Sequence, residues 1–270
     1  MDRRRIPVRH DLAAEHLRGE VEVEKFVEGT PMQVGVSLLN LVTNADPNTS
    51  MATQLLFGEG FTVYDQIPEM GLSWGQSDRD GYVGYLATEG LTPPAREGLT
   101  QITVPSALVY GKPDMKTRPI GAYSLGSRVP IGGDENGFAQ LGERMYTPLV
   151  YFKSVDTDFV AVAETFVGVP YLWGGRSSFG LDCSALVQLS LMAVGVDVPR
   201  DSDMQAAEVG EPSSDTLRRG DLVFWDGHVG IMQSSDQILH ANAHHMAVTS
   251  ELLVDVIARA DGPVTAQRRL

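Results

Sequence analysis

The chain has 270 residues, a length that favours about two domains, and its 43% hydrophobic and 21% charged residues are typical of a globular protein. It contains no apolar run long enough to span a bilayer, which excludes a membrane-embedded protein. Its 21 basic and 35 acidic residues give a net charge of −14. This charge argues against nucleic acid or a membrane surface as a partner, because both attract clustered Lys and Arg.

The start of the chain bears on its compartment. The first residues are basic, but no apolar segment follows them, so no export signal is visible and we expect a cytoplasmic protein. The single cysteine, Cys183, excludes an intramolecular disulfide, which fits a reducing compartment.

Turn residues divide the first half of the chain into short segments. Residues 1–31 are charged with scattered apolar positions and predict an N-terminal arm, either ordered or forming a short helix. Residues 32–95 contain short β-type runs, such as 34–38 and 60–64, and predict a small all-β barrel. Residues 96–155 repeat this pattern and predict a second barrel. The alternative is one larger irregular β domain.

From residue 156 the pattern changes to an alternation of helix and strand. Apolar spacing predicts a helix over 158–167, and strands are predicted over 221–225, 228–232 and 237–241. We therefore expect an α+β domain over 156–270, in which a helix bearing Cys183 packs on an antiparallel sheet.

The predicted helix begins at Cys183 and ends before Gly195, with Asp182 as its N-cap. Its stripe of apolar and small residues consists of Leu186, Leu189, Ser190 and Ala193. At a helix N-terminus the dipole favours thiolate over thiol, as a nucleophile requires. The alternative is that Cys183 is a small buried hydrophobic residue.

Two histidines favour the catalytic interpretation. His228 and His240 lie on successive predicted strands, and antiparallel pairing of these strands brings the two side chains together. Cys183, His228 and His240 then supply a nucleophile, a base and an orienting group.

A series of short motifs carries a resemblance to a known family. The motifs are Y-x-W-G-G at 171–175, D-C-S at 182–184, P-R-D-S at 199–202, R-G-D-L-V-F-W at 219–225, H-V-G-I at 228–231 and I-L-H-A at 238–241. In this order they resemble the NlpC-type cell-wall peptidases, a circularly permuted branch of the papain-like fold. Residues 74–76 and 80–86 similarly resemble bacterial SH3-like domains. Residues 106–110, 121–131 and 136–141 follow the same pattern, so two such barrels are expected before the peptidase domain.

The resemblance implies roles for individual residues. Cys183 is the nucleophile, His228 the base and His240 the third, polar member of the site. Asp182 either only caps the helix or also binds the free α-amine of the substrate. Tyr82, on the first SH3-like domain, either closes that amine pocket or is a surface aromatic.

Four further residues are weaker candidates for the substrate pocket. Ser184 and Trp173 fit pocket positions, although Trp173 fits a core position as well. Arg200 and Asp201 match a family motif near the active-site helix, and a buried ion pair that orders the loop is their alternative role. His240, His244 and His245 invite a metal site, but the segment lacks a helical pattern and suitable acidic neighbours, so we expect neither metal nor cofactor.

The implied activity is hydrolysis of the γ-D-glutamyl bond to meso-diaminopimelate or L-lysine in murein peptides with a free N-terminal L-Ala. The reaction passes through a cysteine thioester, and the expected setting is peptide recycling. Two alternatives remain open: an acyltransferase or amidase of the same fold, and a catalytically silent wall-binding protein.

Overall fold

Two units form the chain, Met1–Phe152 and Lys153–Leu270. They are seen in a computed structural model that describes residues 2–46, 48–95, 98–153 and 158–270. Among these residues, no helix is both long and apolar enough to cross a membrane. The predicted domain boundaries at 95/96 and 155/156 fall on residues 96–97 and 154–157, outside the described residues, so the division into four segments stays a prediction.

The N-terminal arm is ordered, but its helix is only a 3-10 turn, Glu15–Leu17. Two short strands, β1 (Leu12–Ala14) and β2 (Lys25–Val27), pair in parallel. The arm is fixed to the following sheet, because Val83 donates its backbone N–H to the Arg4 carbonyl at 2.7 Å.

A seven-stranded antiparallel sheet follows the arm. Its strands are β3 (Thr30–Val34), β4 (Leu38–Val42), β5 (Met51–Leu56), β6 (Gly60–Ile67), β7 (Leu72–Ser77), β8 (Val83–Ala87) and β9 (Leu91–Thr92). They lie in the order β5-β4-β8-β7-β6-β3-β9. Alternation selects the core face, since Leu39 and Leu41 are buried while Asn40 between them is exposed.

One predicted strand in this sheet is wrong. The segment 34–38 is not continuous, because β3 ends at Val34 and β4 begins at Leu38. Between them Gly35 donates its N–H to the Gly90 carbonyl at 2.9 Å. A Cβ on Gly35 would lie 2.5 Å from Thr92 Cγ2, so a larger residue at this turn would force the Thr92 side chain to shift. The predicted strand over 60–64 lies within β6.

The rest of the first unit forms a second sheet with its own core. The strands are β10 (Leu99–Gln101), β11 (Ser106–Tyr110), β12 (Pro119–Ser124), β13 (Arg128–Pro130), β14 (Gly133–Glu135), β15 (Phe138–Gly142) and β16 (Met145–Pro148). Five of them lie in the order β12-β11-β16-β15-β14, and β10 pairs with β13. Ile102, Val109 and Val129 are buried in a cluster separate from that of the first sheet. The number of barrels stays a prediction.

The second unit combines helices with an antiparallel sheet. Its helices are α1 (Phe159–Glu164), α2 (Cys183–Ala193), α3 (Ser202–Glu208) and α4 (Leu253–Arg259). Its strands are β17 (Arg176–Ser177), β18 (Gly180–Leu181), β19 (Glu211–Pro212), β20 (Leu222–Trp225), β21 (His228–Met232), β22 (Gln237–Asn242), β23 (Ala247–Leu252) and β24 (Ala266–Arg269). Six of these strands form a sheet in the order β19-β24-β20-β21-β22-β23.

This architecture confirms a mixed fold with mostly sheet, while the permuted papain-like arrangement stays a prediction. The predicted strands match β20, β21 and β22. Helix α2 packs against β21 and β22, so it is the central helix of the unit.

The single buried stripe predicted for α2 is wrong. Every residue from Cys183 to Met192 is buried. Apolar residues occur on all faces of this helix, as expected for one enclosed by its unit. Two of its polar side chains donate hydrogen bonds to buried backbone, Gln188 Nε2 to the Val198 carbonyl at 3.1 Å and Ser190 Oγ to the Leu186 carbonyl at 2.7 Å.

Candidate active site

The N-terminus of α2 is built by its cap and by the loop before it. Asp182 Oδ1 accepts the N–H of Ala185 at 2.9 Å, which confirms the predicted cap. Asp182 Oδ2 accepts the N–H of Gly174 at 3.0 Å. Gly174 has a φ of +71°, and a Cβ on Gly175 would lie 2.5 Å from the Gly180 carbonyl oxygen. The two glycines therefore let the loop close on the carboxylate that holds Cys183 in place.

Asp182 is also one half of a buried ion pair. Arg200 donates to both carboxylate oxygens and, at 2.9 Å, to Ser184 Oγ. Ser184 in turn donates to Asp182 Oδ1 at 3.2 Å. The buried ion pair expected for Arg200 forms with Asp182. Asp201 is the residue before α3, and its role stays a prediction. These donors give Asp182 an architectural role at the start of the helix, and its binding of the substrate α-amine stays a prediction.

His228 on β21 and His240 on β22 are brought together as predicted. His228 Nε2 lies 2.8 Å from His240 Nδ1, a hydrogen-bond distance. The side chain of His240 is fully buried, and the indole of Trp225 lies against His228 with ring centroids 5.8 Å apart. Gly230 permits this approach, because a Cβ there would lie 2.5 Å from Ile238 Cδ1.

Helix α2, which begins at Cys183, packs against β21, the strand that begins at His228. The backbone N–H of Val229, the residue after His228, acts to lower the pKa of Cys183, although it does not offset burial. Burial lowers the pKa of His228 to about 4, and the neighbouring His240 adds to this effect. At neutral pH the imidazole is therefore uncharged and able to accept a proton.

The expectation that the helix N-terminus favours a thiolate is wrong for the resting site. Burial, together with the adjacent Asp182 carboxylate, raises the pKa of Cys183 to about 12. A helix dipole contributes about 0.3–1 kcal/mol, which is too little to offset burial of an anion next to a second anion. With these pKa values the Cys183 thiol and the His228 imidazole are both neutral at neutral pH, so the thiol must lose its proton for the sulfur to attack.

Three functional residues were missed by sequence reasoning. Burial raises the pKa of Tyr171 to about 12, with the charges of Cys183 and Asp182 adding to the shift, so its phenol remains a hydrogen-bond donor. Behind the histidines, His240 Nε2 lies 2.7 Å from Glu251 Oε1, and Glu251 pairs with Arg259 at 2.5 Å. The Y-x-W-G-G motif pointed to Tyr171, but nothing in the 247–252 segment marked Glu251.

The two remaining predicted residues have contrasting environments. Trp173 is 66% exposed, so the alternative of a core position is wrong. Tyr82 is 4% exposed and belongs to the buried cluster of the first sheet, so the alternative of an exposed surface aromatic is also wrong. The role of Tyr82 in the substrate pocket stays a prediction, as does that of Trp173.

A cavity of about 680 Å³ opens beside His228 and His240. Charged, aromatic and imidazole side chains line it, among them Tyr171, Trp225, Asp226, His244, Arg259 and Asp261. Within the described part of the chain, no group of three or more His, Cys, Asp or Glu residues has the arrangement to hold a metal ion.

Comparison with known proteins assigns family matches to both units. Residues 168–259 match the model of the NlpC/P60 family, and residues 41–91 match that of the bacterial dipeptidyl-peptidase SH3 domain. A γ-D-glutamyl-L-lysine dipeptidyl-peptidase of Bacillus subtilis is 30% identical over 215 residues, covering 70% of this chain and 71% of that protein. A protein of the same name from Bacillus cereus is 25% identical over 232 residues, covering 77% of this chain and 66% of that protein.

A solved structure has a similar fold. The crystal structure of an NlpC/P60 family protein from Bacillus cereus superposes with a TM-score of 0.72 at 20% identity. The match covers 89% of this chain and 99% of that one, so the similarity in fold extends over both units.

Proposed function

Since this chain belongs to the NlpC/P60 family and is a cysteine peptidase, we propose that it hydrolyses the γ-D-glutamyl bond to a diamino acid in peptidoglycan-derived peptides. The observation that carries the proposal is the 2.8 Å contact of His228 with His240 on the strands that face the Cys183 helix. The Bacillus subtilis relative, matched over 71% of its length, is named for activity on a γ-D-glutamyl-L-lysine bond.

The reaction follows from the neutral thiol and the neutral imidazole. His228 accepts the Cys183 proton as the sulfur attacks the γ-carbonyl carbon of D-glutamate. When the tetrahedral intermediate collapses, the carbon–nitrogen bond breaks and His228 returns the proton to the leaving amine. A water molecule, deprotonated by His228, then attacks the thioester and releases the γ-carboxyl group and the free thiol.

We further propose that the substrate carries a free α-amine on L-alanine. The name dipeptidyl-peptidase, shared by both Bacillus relatives, describes removal of a dipeptide from a free N-terminus. The net charge of −14 supports a cationic substrate group, since it attracts an ammonium.

The cavity beside the two histidines is proposed to receive the leaving diamino acid. Its volume of about 680 Å³ lies in the range of small-molecule sites. Asp226 and Asp261 supply carboxylates for the side-chain ammonium of the ligand. Lysine and meso-diaminopimelate both carry this group.

Four peptides test the proposal. We expect release of L-Ala-γ-D-Glu from L-Ala-γ-D-Glu-L-Lys or from its meso-diaminopimelate counterpart, measured by chromatography with mass detection. The α-linked isomer controls for the bond, and the N-acetylated peptide controls for the amine. Absence of cleavage of both γ-linked peptides would contradict the proposed bond, while equal cleavage of the acetylated peptide would contradict only the requirement for a free amine.

A place in the recycling of murein peptides in the cytoplasm also stays a proposal. It predicts cleavage of short released peptides and no release of soluble fragments from intact cross-linked peptidoglycan. Efficient solubilisation of intact peptidoglycan would instead indicate a wall-degrading role.

A further inference from the structure

We propose that Glu251 is a positioning residue, which fixes the tautomers of both active-site histidines so that the unprotonated nitrogen of His228 is Nδ1. This inference rests on Cys183 acting with His228 and does not depend on the identity of the substrate. Glu251 lies on β23, next to the strand of His240, and contacts neither Cys183 nor His228 in the hydrogen bonds of the described residues.

A continuous chain of hydrogen bonds leads from His228 to Glu251. His228 Nε2 lies 2.8 Å from His240 Nδ1, and His240 Nε2 lies 2.7 Å from Glu251 Oε1. Both distances are those of full hydrogen bonds. The His240 side chain is fully buried, so water does not replace either partner.

The carboxylate determines the direction of every bond in this chain. An ionised Glu251 can only accept, so the proton of neutral His240 must be on Nε2. His240 Nδ1 is then an acceptor and takes the proton that His228 carries on Nε2. Neutral His228 is consequently unprotonated at Nδ1, which leaves that nitrogen free to accept the thiol proton of Cys183.

Arg259 keeps Glu251 in its accepting form. Its Nη2 and Nη1 donate to Oε1 and Oε2, each at 2.5 Å, in the two-point geometry that guanidinium and carboxylate share. His245 Nε2 lies 3.4 Å from the same Oε1. The pKa of Glu251 is lowered to about 2 despite its burial, because Arg259 and His240 both donate to it.

Loss of the negative charge removes this control. In Glu251→Gln the side chain offers both an amide donor and a carbonyl acceptor, and Arg259 competes for the carbonyl. His240 can then hold its proton on Nδ1 and donate it to His228 Nε2. His228 in that state carries its proton on Nδ1, where it cannot accept one from Cys183.

The variants to compare are Glu251→Gln and, as the matched control, Glu164→Gln. Glu164 also pairs with an arginine, Arg219 at 2.8 Å, on the same unit but outside the site. We expect Glu251→Gln to lower kcat about 10- to 100-fold. KM should stay within about threefold, because substrate contacts are retained. Glu164→Gln should retain both constants. An unchanged kcat in a folded Glu251→Gln variant would overturn the proposal.

Two measurements do not require a known substrate. Cys183 is the single cysteine, so its alkylation by iodoacetamide reports base assistance at one thiol, and it should slow in Glu251→Gln. Imidazole 15N shifts of the native protein at neutral pH should show the proton on Nε2 of both His228 and His240. A proton on Nδ1 of His240 in the native protein would overturn the proposal even if Glu251→Gln did not fold. If none of the four peptides is cleaved, the alkylation rate and the 15N shifts still test the role of Glu251, because neither measurement uses a substrate.

Discussion

Arg200 donates to both carboxylate oxygens of Asp182, with Nη2 2.7 Å from Oδ2 and Nη1 2.9 Å from Oδ1. Arg200 is 1% exposed, and Asp182 is the N-cap of the helix that begins with Cys183. Arg200, which lies outside that helix, therefore fixes the helix N-terminus through its ion pair with Asp182.

The first prediction concerns this ion pair. Arg200→Met should lower the free energy of unfolding by about 3–5 kcal/mol, because Asp182 is left as a buried charge without its partner. Arg219→Met is the matched control, since Arg219 pairs with Asp158 and Glu164 at an exposed position and should cost only about 0–1 kcal/mol. Urea unfolding of both variants measures the two losses in free energy of unfolding. Equal losses would contradict the architectural role of the Arg200–Asp182 ion pair.

The second prediction concerns pH. Because burial lowers the pKa of His228 to about 4, the imidazole stays neutral above that pH and loses its function as a base when the pH falls through it. The fall of kcat/KM on the acid side should therefore have its midpoint below the ordinary histidine pKa of 6.5. Circular dichroism at each pH checks that the protein stays folded. Besides burial, the groups that shift the pKa of His228 are His240 and Arg259, which lower it, and Glu251, which raises it. A limb at or above 6.5 would contradict this account of the base.

The third prediction concerns the loop before Cys183. In Gly175→Ala the new Cβ would lie 2.5 Å from the Gly180 carbonyl oxygen, so the backbone must shift. We expect a loss of about 1–3 kcal/mol in the free energy of unfolding, together with a lower kcat. Gly121→Ala is the control, since a Cβ there meets nothing within 4 Å. Equal stability and equal kcat in the two variants would show that the close approach of Gly175 to the Gly180 carbonyl is not required.

The fourth prediction separates a binding role from a core role for Trp173. Since this side chain is 66% exposed, Trp173→Ala should change the free energy of unfolding by no more than about 0.5 kcal/mol. If it contacts the substrate, as predicted, KM should rise while kcat changes little. A lower free energy of unfolding together with an unchanged KM would contradict both the exposed position and the proposed substrate contact of Trp173.

The catalytic residues were predictable because their chemistry depends on local pattern. Asp182, Cys183 and Gly195 form a readable helix start and stop, and period-2 alternation places His228 and His240 on neighbouring strands. Both inferences need only a few residues of context. The structure begins a helix at Cys183 and brings His228 to His240, as the sequence predicted, while their catalytic roles stay predictions.

Features that depend on long-range packing were not predictable in the same way. Glu251 reaches His240 only because β23 pairs with β22, and the 247–252 segment lacks the apolar alternation that would predict a strand. The shift in the pKa of Cys183 follows from burial that no local pattern reports. The full burial of α2 likewise depends on what surrounds the helix in the folded unit.

The most direct test of the account replaces the nucleophile. Native protein and Cys183→Ala are incubated with L-Ala-γ-D-Glu-L-Lys and with its meso-diaminopimelate counterpart, and release of L-Ala-γ-D-Glu is quantified over time. The account predicts release by the native protein and none above background by a folded Cys183→Ala variant, because Cys183 is the single thiol available to form the thioester. Equal release by the two proteins would contradict it.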